Sequence, residues 1–257
     1  MQDLKVTLIQ TTQFWEDKAK NLAHFEGLFS EIEETDLILL PEMFQTGFTM
    51  NATDLAEEMS SSYSLRWLLA RAQEKNAAIY TSLIIEENNL FYNRGVFVQP
   101  DGTVHFYNKR KLFGMANEHS YYTAGTREQI VNWRNWKLNL QICYDLRFPE
   151  IVRNSHINGQ PKYDAILYVA NWPERRSHHW KTLLCARAIE NQSYVLGVNR
   201  VGTDANNLTY SGDSSAFNLL GEEIAHLTPS AIQTKTIQLS AEKLTDLRQK
   251  LPFLKDS

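Results

Sequence analysis

Short apolar runs alternate with amphipathic segments along this 257-residue chain, and that alternation limits the folds open to it. Residues 37–40 read LILL, a continuous apolar run typical of a strand buried on both faces. Residues 21–32 instead place Leu22, Phe25 and Phe29 at helical spacing. Strands separated by helices predict an α/β fold whose sheet faces are covered.

The same patterns predict the remaining elements. Further strands are expected at residues 5–10, 77–85, 95–99, 104–107, 137–143, 165–170, 194–198, 214–218, 222–226 and 232–239. Further helices are expected at residues 65–73, 177–191 and 245–250. The sequence PDG at 100–102 predicts a hairpin, because proline fixes φ and glycine accepts positive φ, so the sheet should be mixed. No repeat or Pro/Gly/Ser-rich linker interrupts residues 1–257, which are expected to form a single domain.

Composition excludes several classes of protein. Hydrophobic residues make up 43%, charged residues 22%, and the net charge is −4, so nothing indicates a nucleic-acid partner. No apolar run approaches the roughly 18 residues that a membrane span needs, and the N-terminus lacks a signal-peptide pattern. Two cysteines give no disulfide framework. We therefore expect a soluble protein of the reducing cytoplasm.

Three reactive side chains each follow a predicted strand, namely Glu42, Lys109 and Cys143. Strand ends gather at one edge of an open α/β sheet, so the three could converge. A carboxylate could take the thiol proton, while an ammonium group favours the thiolate and stabilises an oxyanion. The backbone N–H of Tyr144 could complete the oxyanion hole. Taken singly, the three residues fit a loop carboxylate, a surface lysine and a core cysteine better than a catalytic set.

Four segments together resemble the nitrilase superfamily of carbon–nitrogen hydrolases. They are LLPEMF at 39–44, KRKLF at 109–113, ICYDLRFPE at 142–150 and ARAIENQ at 186–192. The resemblance implies a four-layer α-β-β-α sandwich, with Glu42 as general base, Lys109 as oxyanion stabiliser and Cys143 as nucleophile. It implies amide hydrolysis through a thioester without a metal or organic cofactor, in a protein that commonly pairs as a homodimer.

Further roles follow from the same resemblance. Glu118 matches a second family glutamate, which would orient Lys109 or assist the proton transfers. Lys111 is a near miss, since the register of the following Leu-Phe pair favours Lys109. Asp145 is expected to brace the turn after the nucleophile.

Residues 171–184, NWPERRSHHWKTLL, are similar to the omega-amidase branch, which hydrolyses the terminal amide of 2-oxoglutaramate and 2-oxosuccinamate. Arg147 could pair with a substrate carboxylate or form a structural salt bridge within its turn. Phe44, Phe113 and Trp172 are expected to wall a small pocket. The sequence therefore predicts a small, linear, carboxylate-bearing amide as substrate.

Other functions stay open at this stage. A carbamoyl-amino-acid or aliphatic amide hydrolase is the nearest rival, a true nitrilase is a further one, and a non-catalytic binding protein on this fold differs in class. The adjacent pair His178 and His179 resembles a metal pair, but neighbouring helical residues point about 100° apart and no HxxxH or CxxC supports zinc. A Cys–His–Asn protease would need a histidine near Cys143, and no sequence feature selects one.

Overall fold

The computed structural model describes residues 1–256. Six strands from the first half of this range and one late strand form a seven-stranded mixed sheet. Its strands are β1 (Leu4–Gln10), β2 (Leu37–Leu39), β3 (Glu57–Glu58), β4 (Ala78–Glu87), β5 (Leu90–Val98) and β6 (Val104–Asn108), joined by the late strand β17 (Gln233–Leu239). The order is β17-β1-β2-β4-β5-β6, with β3 beside β4. Strands β1, β2 and β4 run parallel, whereas β4, β5 and β6 form an antiparallel meander.

The second half of the chain forms a six-stranded sheet in the order β16-β15-β12-β11-β8-β7. The strands that follow β6 are β7 (Ile130–Trp133), β8 (Trp136–Ile142), β9 (His156–Ile157), β10 (Gln160–Pro161), β11 (Ala165–Ala170), β12 (Tyr194–Asn199), β13 (Val201–Thr203), β14 (Thr209–Ser211), β15 (Ser215–Phe217) and β16 (Glu223–His226). Strands β8, β11 and β12 run parallel, so their carboxyl ends share one edge. The pairs β9–β10 and β13–β14 are small separate ribbons.

Helices cover the outer face of each sheet. The α-helices are α1 (Lys18–Ser30), α2 (Ala52–Leu55), α3 (Tyr63–Lys75), α4 (Ser177–Asn191) and α5 (Ala241–Lys250). Six short 3₁₀ helices lie at Gly114–Ala116, Glu118–Ser120, Cys143–Arg147, Pro149–Ile151, Glu174–Arg176 and Phe253–Asp256. No helix within the described range is long and apolar enough to cross a membrane.

The layers can be seen in the alternation of side chains along β2. Leu37 and Leu39 belong to the core between the two sheets, which also includes Leu140 and Leu167. Ile38 packs instead with apolar residues of α1 and α3. Both faces of β2 are therefore buried, as its continuous apolar sequence requires. The predicted four-layer α-β-β-α sandwich is confirmed.

A helix cap and a tight turn explain why two elements begin earlier than predicted. Helix α5 begins at Ala241, not at 245, because the Ser240 side chain accepts a hydrogen bond from the Lys243 N–H. Strand β5 begins at Leu90 because Asn88 and Asn89, with φ of 55° and 61°, form a tight turn after β4. Asparagine tolerates that left-handed conformation, so the Asn-Asn pair marks a turn that the apolar pattern of the strands does not reveal.

Candidate active site

The carboxyl ends of strands in both sheets meet at one cavity of about 530 Å³. Cys143 directly follows β8, Asn171 follows β11, and Lys109 follows β6. All three line the cavity. Glu42 lies three residues past β2, and its side chain is fully buried. The convergence predicted from strand ends is therefore present in the fold.

Lys109 is held between two carboxylates. Its Nζ donates to Glu42 Oε1 at 3.0 Å and to both carboxylate oxygens of Glu118 at 3.0 Å. Burial alone would lower the pKa of Lys109, but the carboxylates of Glu118 and Glu42 outweigh it and hold that pKa above its ordinary value. The ammonium group therefore stays charged, which electrostatic stabilisation of an oxyanion requires.

Glu42 is fixed through both of its oxygens. Oε1 also accepts a hydrogen bond from Asn93 Nδ2 at 2.7 Å, and Oε2 accepts one from the Asn171 backbone N–H at 2.9 Å. The Asn171 side chain in turn donates to the Glu42 carbonyl at 2.6 Å. A carboxylate bound on both sides is oriented before substrate arrives, which preorganises it for proton transfer.

Glu118 connects the charged centre to the cavity wall. Besides binding Lys109, its Oε2 accepts the Phe113 backbone N–H at 2.5 Å, which fixes the segment that carries Phe113. Burial raises the pKa of Glu118, and Lys109 only partly opposes that effect. The geometry fits a residue that orients Lys109.

Cys143 has a left-handed backbone conformation, with φ of 45°. Such a φ is uncommon for a residue other than glycine and is often found at functional sites. It turns the chain sharply from β8 into a 3₁₀ helix, so the thiol emerges at the end of the strand. Sγ lies 3.9 Å from the Asn171 carbonyl, and the side chain of Tyr144 borders the same cavity.

The Asp145 carboxylate stabilises this turn through hydrogen bonds. Its carboxylate accepts hydrogen bonds from the Ile142 N–H at 3.0 Å, the Lys111 N–H at 2.9 Å and the Tyr107 hydroxyl at 2.8 Å. Complete burial raises the pKa of Asp145 to about 6. The carboxylate thus ties the segment of the thiol to that of Lys109, as the sequence analysis expected of a brace.

The surroundings of the Cys143 thiol disfavour its ionised form. Burial raises the pKa of Cys143 well above its ordinary value, and the Glu42 carboxylate raises it further, while Lys109 lowers it by less. The effect of Lys109 itself is the predicted one, since its charge favours the thiolate, but burial and the Glu42 carboxylate outweigh it. Burial is the main reason, and the neighbouring Glu42 carboxylate disfavours a second negative charge beside it.

This balance of charges predicts opposite effects of two substitutions on the alkylation of Cys143. Iodoacetamide reacts with the thiolate, so labelling of the wild type at pH 7–8 should be slow and should rise with pH. Glu42→Gln removes a negative charge and should accelerate labelling at fixed pH. Lys109→Met removes the positive charge and should slow it. Mass spectrometry of intact protein measures both rates, and equal rates in the two variants would contradict this account.

The structure places most of the predicted cavity residues at the cavity. Phe113, Tyr144, Arg147 and Trp172 line it. Phe44 does not, and that prediction is wrong. Phe44 is fully buried under α1 and α3, with its ring 5.3 Å from that of Phe25.

The backbone just before Phe44 explains why its side chain does not line the cavity. Met43 has φ of 46°, which turns the following side chain into the helix-facing core. Phe48 borders the cavity instead, with its ring 5.0 Å from Lys109 Nζ. Phe48 lies in an irregular segment with no periodic signal, whereas Asn171 could have been found by the strand-end rule that found Cys143.

Arg147 forms no salt bridge with a carboxylate in the described part of the chain, so the structural alternative considered for it is not observed. Its guanidinium carbon lies 4.6 Å from the centre of the Trp172 ring. Its Nη2 lies 3.3 Å from Nδ1 of His179, which is exposed and belongs to no metal-binding group within residues 1–256.

The comparisons with known proteins agree with this geometry. A family model described as carbon-nitrogen hydrolase matches residues 5–249. The chain belongs to the carbon–nitrogen hydrolase family, within the nitrilase superfamily. It is accordingly an enzyme that hydrolyses amides at a carbon–nitrogen bond.

Two relatives and one crystal structure are similar to this chain over most or all of its length. The chain is 46% identical to omega-amidase YafV of Escherichia coli K12, over 100% of this chain and 98% of the relative. It is 33% identical to 2-oxoglutaramate amidase of Bacillus subtilis, over 76% of this chain and 74% of that protein. The crystal structure of XC1258 from Xanthomonas campestris, a CN-hydrolase superfamily protein, superposes with a TM-score of 0.97 at 39% identity, covering 100% and 98% of the two chains.

Proposed function

We propose that this enzyme is an omega-amidase, which hydrolyses the terminal amide of 2-oxoglutaramate or 2-oxosuccinamate to the acid and ammonia. One observation carries the substrate class. Arg147 borders the cavity of Cys143 without a carboxylate partner of its own, and a guanidinium group binds a carboxylate bidentately. The relatives named omega-amidase and 2-oxoglutaramate amidase support the choice of substrate.

In the first half of the proposed reaction, Glu42 accepts the thiol proton as Sγ of Cys143 attacks the amide carbonyl. Glu42 is suited to this step because hydrogen bonds fix both of its oxygens. The carbonyl oxygen gains the negative charge, and Lys109 with the Tyr144 N–H stabilises it. Burial and Glu42 raise the pKa of the thiol, so the attack needs a base beside Sγ, which Glu42 provides.

In the second half, the intermediate collapses. Glu42 returns its proton to the nitrogen, the carbon–nitrogen bond breaks, and ammonia leaves a thioester on Cys143. Glu42 then takes a proton from water, whose oxygen attacks the thioester carbonyl; the carbon–sulfur bond breaks and the thiol is re-formed as the acid departs. Glu118 acts through Lys109, which it holds in place at 3.0 Å. Each step uses only side chains and one backbone N–H of this chain, together with water.

A substrate panel tests the proposal directly. We expect kcat/KM for 2-oxoglutaramate and 2-oxosuccinamate to exceed that for a neutral aliphatic amide of equal length by roughly 100-fold, because a buried charge-assisted pair contributes about 1.5–3 kcal/mol. Ammonia release measures every substrate in the same way. Better hydrolysis of N-carbamoyl amino acids would favour the rival carbamoyl-amino-acid hydrolase, and turnover of nitriles would favour a nitrilase.

We also propose that residues 1–257 form one domain, that the enzyme acts in the cytoplasm and that two copies pair as a homodimer. The two cysteines are both free thiols, as a reducing compartment favours. Exposed apolar side chains on α4 and on the β15–β16 connection, Ile189 and Leu220 among them, support pairing.

A further inference from the structure

A second arginine, Arg176, shares an aromatic frame with Arg147. We define this frame as the rings of Phe113, Tyr144 and Trp172, all of which border the cavity. The guanidinium carbon of Arg176 lies 5.3 Å from the centre of the Phe113 ring, and the Phe113 and Tyr144 rings are 5.0 Å apart.

Arg147 occupies the other end of this frame, 4.6 Å from the Trp172 ring and 6.0 Å from the Tyr144 ring. The Trp172 indole N–H donates to the Arg176 carbonyl at 2.8 Å, so the ring under Arg147 also fixes the backbone of Arg176. Stacking on aromatic faces holds a planar guanidinium group in place and leaves its N–H donors directed outward. Two such groups are therefore presented by one rigid frame.

The charges of these two arginines are not neutralised by carboxylates of the protein. Neither forms a salt bridge in the described range, whereas Arg94 pairs with Glu87, Arg187 with Glu190 and Arg248 with Asp164. Burial lowers the pKa of Arg176, and the neighbouring positive charges of Arg175 and Arg147 lower it further. Three like charges gathered beside the thiol make this end of the cavity suited to an anion.

We propose that Arg176 is a specificity-determining residue, which binds the substrate carboxylate together with Arg147 and so selects amides that carry a negative charge. The inference rests on the proposed function and adds a residue to it. Arg147 follows the nucleophile by four positions, while Arg176 precedes α4, so the two reach the carboxylate from different loops. A carboxylate bound from two sides fixes the far end of the substrate, which brings the amide carbonyl to Sγ.

Succinamate and its neutral methyl ester test this role, because the pair differs in one carboxylate. Arg176→Gln should raise KM for succinamate by about 10- to 100-fold while kcat changes little, since a charge-assisted hydrogen bond is lost from binding. The kcat/KM for the ester should stay within about twofold of wild type, because the ester offers no carboxylate to either guanidinium group. Arg176→Lys should recover part of the loss by restoring the charge without the planar fork.

Two control variants separate specific binding from general attraction. Arg153 is exposed, so Arg153→Gln should leave kcat/KM unchanged for both succinamate and its ester. Arg175 is exposed beside Arg176, so Arg175→Gln should raise KM for succinamate by less than threefold, and salt should abolish that change. A loss in Arg175→Gln equal to that in Arg176→Gln, or an equal loss for the ester, would overturn the role of Arg176.

Failure of this inference is distinguishable from failure of the proposed function. If wild-type enzyme turns over succinamate much better than its ester but Arg176→Gln behaves like wild type, only the role of Arg176 is wrong. If wild-type enzyme does not prefer succinamate, the proposed substrate class itself is wrong. Thermal unfolding of each variant, expected near that of wild type, shows that a kinetic change does not come from misfolding.

Discussion

Cys143→Ala is expected to abolish ammonia release, with kcat lower by at least about 10⁴-fold, because the variant has no nucleophile to form the thioester. The protein should stay folded. The side chain is only 9% exposed, but alanine replaces the thiol with little loss of volume and with the same left-handed φ cost. A sensitive ammonia assay and thermal unfolding measure the two properties separately.

The chain provides a matched control for this variant. Cys185 lies on α4, where its Sγ donates to the Gly221 carbonyl at 3.4 Å, away from the cavity residues described above. Cys185→Ala should keep nearly full activity. Activity in Cys143→Ala above about one per cent of wild type would refute the thioester mechanism, since residual catalysis without a nucleophile is far smaller.

Lys109→Met is expected to have the second largest effect, and it should alter both activity and stability. Loss of the oxyanion donor should lower kcat by roughly 10²–10³-fold. Removing the ammonium group also leaves Glu42 and Glu118 buried without their counter-ion, which typically costs about 3–5 kcal/mol of unfolding free energy. Urea unfolding and steady-state kinetics measure the two effects.

The stability loss in Lys109→Met should depend on pH. Burial already raises the pKa of Glu118, and removing Lys109 takes away the charge that opposes this rise. A carboxyl group whose pKa is raised in the folded state binds its proton there first, so its contribution to stability is present at low pH and lost as pH rises. The variant should therefore lie closer to wild type in stability at pH 5 than at pH 8.

Two further variants control the lysine experiment. Lys111→Met should keep both activity and stability, because the Lys111 side chain is 33% exposed and pairs with the exposed Glu150. In the double variant Lys109→Met/Glu118→Gln, one uncompensated carboxylate is gone, so stability should partly recover while activity stays low. Recovery of activity in the double variant would contradict the assignment of Lys109 to the oxyanion.

The fold class could be predicted from the sequence because the apolar side chains of a buried helix face or strand recur in a recognisable pattern. Strand β11 and helix α4 have the bounds that their apolar patterns predict, because β11 is buried throughout and α4 buries one face, which includes Trp180, Leu184 and Ala188. The bounds differ more at β5 and α5, where a turn of two asparagines and a serine cap set the limits. Such local hydrogen bonds and turn conformations leave only a weak pattern in a single sequence.

By itself, the sequence determined which chemical groups the enzyme has and in which order along the chain, since Glu42, Lys109 and Cys143 each follow a strand and match family motifs. Only the tertiary structure decided how those groups act on one another. It buries the thiol beside Glu42, which raises the pKa of Cys143 despite the opposing charge of Lys109. It also turns Phe44 into the core and places Arg176 beside Arg147, because the direction of a side chain depends on backbone turns and on neighbours distant in sequence.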